Sequence, residues 1–415
     1  MERGDNVQVG TPSSMPPGYK LLIGCLTAGS LLGTAAISIL PALAPVVALS
    51  YGIPAVWIGY QFSLVALFLT LSLLFLGKAS RRWGPLRVVQ CGIGLNAIAL
   101  ALVLLPSLWA LGAASACMGV GYGMIMPANS HLMMRFTPRA TLNRVFSIQQ
   151  TGIPLGAILA ASGAPVVAVA FDWQTAVAAL AVLVAGLALY LETQRARWDD
   201  DRDAHAQPFR NPFAGFGIVV TSKRLRNLSA SGFCFSGAQF CLGTYLVVAL
   251  VEELGYGLVQ AGIILSLAQM AGVVCRVYCG VVADRTGDSL GVLTWLTLGM
   301  TISGFAVLGM NTDWPPVLIC ALFAVQGAAS IGWPGTYLAE VGRLAPAGLV
   351  SIATSGSLLF TNAGKMTAPL VFVAVQGYTG SYAIAFGIIG VLGVLGTLAL
   401  MNARRTSQSA SVIPS

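Results

Sequence analysis

Charge is scarce in this chain. Only 9% of its 415 residues are Asp, Glu, Lys or Arg, against roughly 25% in soluble proteins, and the mean hydropathy is +0.81. That shortage excludes a water-soluble multidomain enzyme. Histidine is rarer still: there are two, His131 and His205, and neither lies near the cysteines in sequence. A metal site needs a cluster of suitably spaced ligands, so neither a metal nor a cofactor is expected, although Cys275 and Cys279 share a helix face. The eight cysteines all fall inside apolar runs, which leaves no disulfide framework. Long polar stretches are also lacking, apart from residues 192–227. The 48 glycines and 20 prolines do not signal disorder, because the glycines are scattered through apolar runs, where small residues let transmembrane helices approach closely. No nucleophile with a base partner and no phosphate-binding loop is evident, so the chain is not expected to be an enzyme.

What is abundant is apolar sequence. Runs of about twenty residues, long enough as helices to cross roughly 30 Å of hydrocarbon, recur twelve times. They cover 20–48, 55–77, 88–105, 107–132, 145–170 and 174–191, then 228–252, 258–281, 290–310, 316–341, 349–375 and 382–402. The reading is therefore an all-α multi-pass membrane protein. A polar, Pro-rich segment precedes Lys20, so the first span is expected to be retained rather than cleaved as a signal peptide. The expected organisation is a tail over 1–19, a six-helix bundle over 20–191, a linker over 192–227, a second bundle over 228–402 and a tail over 403–415.

The formal charge of +8 would suggest nucleic acid in a soluble protein; here it reports orientation. With a cytoplasmic N-terminus, all but two of the 22 lysines and arginines fall on the cytoplasmic side, the exceptions being Arg276 and Lys365. Trp57, Trp109, Trp173 and Trp314 sit at the opposite span ends, as amphipathic rings do at an interface. Both termini are thus expected in the cytoplasm of a cell whose inner membrane holds the protein. The bilayer is the expected partner, nucleic acid is not, and the protein is expected to act as a monomer.

The halves repeat weakly but in order. Leu32-Gly33-Thr34 matches Leu242-Gly243-Thr244, Gly77 to Gly84 matches Gly280 to Gly287, and Gly152 matches Gly364. Pro127, with Arg135 and Pro138 after it, matches Pro334, with Arg343 and Pro346 after it. These offsets run from 203 to 212 residues, about half the chain. Ordered internal similarity of this kind is typical of transporter repeats.

Gly280-Val281-Val282-Ala283-Asp284-Arg285-Thr286-Gly287 resembles the G-x-x-x-D-R-x-G loop of the major facilitator superfamily. Its first-half counterpart, Gly77-Lys78-Ala79-Ser80-Arg81-Arg82-Trp83-Gly84, keeps the glycines but has Arg81 where the family usually has Asp. The resemblance implies the family's fold, twelve helices in two pseudo-symmetric six-helix bundles that transport solutes by alternating access. It also implies a cytoplasmic latch at Gly280, Asp284, Arg285 and Gly287, in which the glycines let helices approach and the aspartate caps a neighbouring helix, favouring the outward-facing state. The latch at Gly77 and Gly84 is expected to be absent or to use another partner. The stretch from Phe146 to Gly156 further resembles cyanate- and nitroimidazole-permease-like members. Gly152, Pro154, Gly156, Gly364 and Pro369 fit either helices that bend during transport or close packing.

Charges inside spans are costly and mark functional candidates. Lys365, near the middle of the eleventh span, is the foremost substrate contact. Arg276 in the eighth either grips a carboxylate or pairs with Glu340 or Asp284. An arginine in the eighth helix with a lysine in the eleventh resembles the cationic pair of oxalate/formate antiporters and related monocarboxylate carriers, which points to a small organic or inorganic anion. Further candidates for lining the site are Gln150, Asn362, Asn129, Tyr245, Gln239, Gln269, Trp333 and Tyr337. Glu340 and His131 are the candidates for carrying a coupled proton, Glu340 alternatively forming a gate salt bridge with Arg276 or Arg343. Proton-coupled efflux of drugs or aromatic compounds is the competing reading, weakened by the lack of a carboxylate inside the first six spans.

Overall fold

The computed structural model describes residues 16–76, 79–138, 142–200, 214–346 and 349–410. Gly77, Lys78 and His205 lie outside the described residues, as do residues 201–213 of the linker and the far ends of both tails. Twelve helices are long and apolar enough to cross a membrane. They are α1 (Tyr19–Ala42), α2 (Ala55–Phe75), α3 (Pro85–Val103), α4 (Leu108–Phe136), α5 (Ile148–Ala170), α6 (Trp173–Trp198), α7 (Lys223–Glu252), α8 (Leu258–Thr286), α9 (Ser289–Gly309), α10 (Pro316–Leu344), α11 (Ala353–Thr379) and α12 (Tyr382–Arg405). In hydrocarbon every backbone polar group must be satisfied within the segment, which leaves the helix as the available form for such runs. Several helices outlast their apolar runs: α4, α6 and α8 continue to Phe136, Trp198 and Thr286, and α7 begins at Lys223. An even number of crossings puts both termini at one end of the bundle.

The two six-helix halves pack alike. In the first, α2 lies on α4 and α3 on α6; in the second, α8 lies on α10 and α9 on α12. The repeated glycines hold equivalent seams. A Cβ at Gly152 of α5 would collide with the backbone of Thr27 on α1, and one at Gly364 of α11 with the backbone of Phe233 on α7. Close packing is therefore what these two glycines provide. The Gly33 and Gly243 pair is not equivalent: Gly33 faces Ile125 and Tyr122, whereas Gly243 has nothing within 4 Å of a built Cβ.

Two helices are interrupted at prolines. Proline lacks an N–H and its ring displaces the carbonyl four residues earlier. In α5, Pro165 thus leaves the Ala161 carbonyl without a helical donor, and the helix widens into a π turn over Leu159–Gly163. That carbonyl lies against Gly262 of α8, where a side chain would collide. In α10 the helix stops at Ile331 and restarts at Pro334. Its repeat partner Pro127 sits inside an unbroken α4.

Contacts between the halves mark the end opposite the termini. Gly59 of α2 faces Tyr245 of α7 and Val373 of α11, Phe62 meets Phe240 at 5.2 Å, and Gly262 meets α5. At the termini-bearing end, the ion pairs among the described residues each stay within one half: Arg87–Glu192, Arg195–Glu192, Arg135–Asp200, Arg343–Glu340 and Arg404–Asp288.

Candidate substrate site

The centre of the second half is organised by the break in α10. Unwinding releases carbonyls that a continuous helix would satisfy, and Arg276 of α8 donates from Nη2 to the Ile331 oxygen at 3.3 Å. Trp333, at the restart, stacks on Phe235 of α7 with ring centroids 5.6 Å apart, and its Nε1 donates to Gln239 Oε1 at 3.1 Å. The next residue on α7 is Phe240, and Lys365 Nζ of α11 lies 5.2 Å from its ring centroid. Contacts thus run from Arg276 through the break and Trp333 to Gln239, and the neighbouring position on α7, Phe240, carries the contact with Lys365. No direct contact joins the two cations.

Lys365 has no carboxylate or hydrogen-bond acceptor among the described residues; the Phe240 ring is its recorded partner. A cation–π contact is worth about 0.5–2 kcal/mol, whereas a lysine at mid-membrane costs about 2.5–3.5 kcal/mol on insertion scales. The ring therefore does not offset the charge, and the deficit is one an anion would remove. Arg276 is likewise without a carboxylate: neither Glu340 nor Asp284 pairs with it, and its Nε is buried with no acceptor. Glu340 is 7% exposed and pairs instead with Arg343, one turn on, at 3.5 Å; Arg343 also donates to Ser289 Oγ.

Three of the residues expected to line a cavity are buried between helices. Tyr245 is fully buried, stacked on Phe372 with centroids 3.8 Å apart and donating to the Pro369 carbonyl at 2.7 Å. Tyr337 is fully buried and its hydroxyl meets Ser357 Oγ, itself 2.7 Å from Ser229 Oγ. Asn129 is buried and its amide donates to Ser30 Oγ at 3.1 Å. Each makes an interhelical contact here, because hydroxyls and amides in an apolar interior are drawn to the nearest available partner. Gln149 rather than Gln150 also reaches Ser30, at 2.6 Å, while Gln150 and Gln269 remain half-buried. Asn362 is 5% exposed on the same helix as Lys365, and His131 is half-buried near the termini-bearing end of α4.

The loop glycines also depart from expectation. Gly280 has open space around it, and Asp284 and Arg285 are exposed, so no helix approaches on the Gly280 face. Gly287 is the left-handed cap of α8, at φ 67°. Gly84, at φ 93°, instead admits the Asp199 carboxylate, which accepts from Leu86 N at 2.7 Å and Arg87 N at 2.9 Å at the start of α3. The second half caps α9 similarly with Asp288, which accepts from Gly291 N at 2.8 Å and pairs with Arg404. The Arg404 guanidinium and the Gly291 N–H hold the Asp288 carboxyl below the usual carboxylate range. Phe240, Asp199 and Asp288 went unsingled in the sequence: an aromatic under a lysine has no spacing signature, and a capping carboxylate drawn from 113 residues away has none either.

The comparisons with known proteins agree with this architecture. The chain is 26% identical over 355 residues to the gentisate transporter of Corynebacterium glutamicum, covering 81% of this chain and 77% of that one. It is 25% identical over 328 residues to human monocarboxylate transporter 11, covering 75% and 67% respectively. A crystal structure of a peptide transporter, POT, matches with a TM-score of 0.76 at 16% identity over 96% of this chain and 97% of that one, a likeness of fold. The model of the Major Facilitator Superfamily matches residues 25–311, so the chain belongs to that family, as a multi-pass transporter of small solutes rather than an enzyme.

Proposed function

We propose that the protein carries a small carboxylate, foremost one bearing an aromatic ring, by rocking its two bundles about a site at Lys365. The single observation behind this reading is the uncompensated Lys365 cation over the Phe240 ring. A carboxylate would supply the missing counter-charge, and a flat ring would lie against Phe240, the partly exposed ring beneath Lys365. Gentisate and monocarboxylates, which the relatives are named for, are both carboxylates. Arg276 and Gln239 hold the break in α10 at the edge of the site, with Asn362, Gln150 and Gln269 as its uncharged lining. Glu340 serves the gate through Arg343.

In this reading residues 20–191 and 228–402 are the moving bodies, and both tails and the 192–227 connection lie in the cytoplasm. The state is then inward-facing: the halves meet at the outer end through Gly59, Phe62 and Gly262, and the exposed Asp284–Arg285 loop is a latch released in this state. The protein works as a monomer in the inner membrane.

Uptake into proteoliposomes, measured with benzoate-type and short aliphatic carboxylates, tests the site. Losing a charge-assisted hydrogen bond costs about 1.5–3 kcal/mol, roughly a 10- to 150-fold change. Lys365→Ala should lower kcat/KM for the carried acid by that factor, with Lys365→Arg retaining part of it. Undiminished carboxylate uptake by Lys365→Ala, with the protein folded, refutes the anchor. Proton-dependent export of cationic drugs, with no carboxylate transport, would favour the efflux reading.

A further inference from the structure

A second charged feature lies far from the proposed substrate site. Where α3 begins and α6 ends, at the termini-bearing boundary of the membrane, a groove of about 440 Å³ is lined by Arg82, Trp83, Arg87, Cys91 and Arg195. Arg87 and Arg195 are fixed by one carboxylate: Arg87 Nη1 lies 2.7 Å from Glu192 Oε2, and Arg195 Nη1 lies 3.3 Å from Glu192 Oε1. Gln90 braces the same arrangement, accepting from Arg87 Nη1 at 2.7 Å and donating to the Ala188 carbonyl at 3.0 Å. Arg82 is exposed and makes no hydrogen bond or ion pair with the described residues, and Trp83 is 43% exposed beside it.

The charges do not cancel. Three guanidinium groups face two carboxylates, Glu192 and Asp199, and Asp199 is committed to the backbone amides of Leu86 and Arg87. One positive charge is left over, on planar donors suited to phosphate oxygens. The opening lies where the apolar spans α3 and α6 give way to charged residues, as a headgroup site requires, and its Trp83 and Cys91 walls are apolar, as acyl chains require and a freely dissolved phosphate does not.

We propose that this groove binds the phosphodiester headgroup of an anionic phospholipid, with Arg82 as its free grip and the Glu192-held Arg87 and Arg195 as its fixed cationic wall. Bound there, the lipid bridges α3 and α6 within the first half and stabilises that bundle.

The test uses the full-length protein with phosphatidylglycerol as the probe. Native mass spectrometry after purification from phosphatidylglycerol-containing nanodiscs should show retained lipid, and its presence should raise the melting temperature relative to phosphatidylcholine alone. Each basic residue near an anionic surface contributes about a fivefold factor, so Arg82→Gln should lower retention about fivefold and Arg82→Gln/Arg195→Gln about 25-fold. Arg82→Gln removes no hydrogen bond or ion pair among the described residues and serves if the double variant fails to fold. An equal loss in Arg405→Gln, at the same end but outside the groove, would mean diffuse surface attraction and overturn the site. Complete displacement of the lipid by soluble glycerol phosphate would overturn the choice of a lipid ligand.

Discussion

The seam between the halves can be opened by one methyl group. Gly59 sits in the first turn of α2 against the opposite half, and a Cβ there would lie 2.7 Å from Tyr245 Cζ and 2.8 Å from Val373 Cγ2, with the Tyr245 hydroxyl nearer still. Tyr245 cannot retreat, because it is stacked on Phe372 and bonded to the Pro369 carbonyl. Overpacking of this kind costs about 1–3 kcal/mol. The cost falls on the state in which the far ends touch and vanishes where they part, so Gly59→Ala should shift the conformational equilibrium about 5- to 150-fold toward separation at that end. Hydrogen–deuterium exchange reads this directly: peptides from the start of α2 and the ends of α7 and α11 should exchange faster, and those at the termini-bearing ends of α4, α8 and α10 more slowly. Adding Tyr245→Phe removes the nearest clashing atom and should restore part of the original pattern. Unchanged exchange in Gly59→Ala, or uniformly faster exchange with no slowing at the other end, would refute the claim that this contact holds one transport state.

Two further outcomes follow from the same geometry. Asp288 has a depressed carboxyl pKa through Arg404 and the Gly291 N–H, so its contribution is complete above the unfolded value near about 3.9 and fades as pH falls through the lower folded value. Asp288→Asn keeps a cap but loses the charge; on a half-exposed pair this costs less than about 1 kcal/mol, so its melting temperature should fall slightly below that of the native protein at pH 7 and converge with it in acid. A gap that widens in acid would contradict the assignment. Trp333→Phe keeps the stack on Phe235 and loses the bond to Gln239. With a net hydrogen bond worth about 1 kcal/mol, KM for the carried acid should rise about fivefold while the fold, read by circular dichroism, is unaltered; an unchanged KM would detach Trp333 from the site.

The twelve spans were legible because hydrocarbon thickness dictates a run length that few other environments require. Their polar extensions were not: nothing in an insertion scale says that α6 continues through Arg195 and Arg197 to Trp198, where the ring packs edge-on against Phe136 at 4.9 Å. The packing role of Gly152 and Gly364 was written in their shared offset, since equivalent helices meet at equivalent points. Pro127 and Pro334 show the limit of that logic. Both remove a helical hydrogen bond, yet only α10 breaks, where Gly332 precedes the proline and Arg276 from another helix takes the Ile331 carbonyl. The burial of Tyr245, Tyr337 and Asn129 depends on such long-range partners too, which no local pattern encodes.

The asymmetry bears on how an anion is handed across the membrane. Taking the repeat offsets, the first-half counterparts of Lys365 and Arg276 are Ile153 and Leu73, so both charges belong to one moving body. A bound carboxylate should therefore travel with the second half, while the first half contributes only uncharged surface and a barrier. In the proposed mechanism Phe62 is that barrier: it reaches across from α2 to meet Phe240, the ring beneath Lys365. While the two rings stay paired, an anion held at the proposed site would be shut off from the far end and would leave toward the termini. Parting them exposes the opposite face of Phe240 and the same cation to the other side. Access can thus alternate around Lys365 without any charge crossing between the halves, which is the arrangement expected where no cation in the first half competes for the substrate.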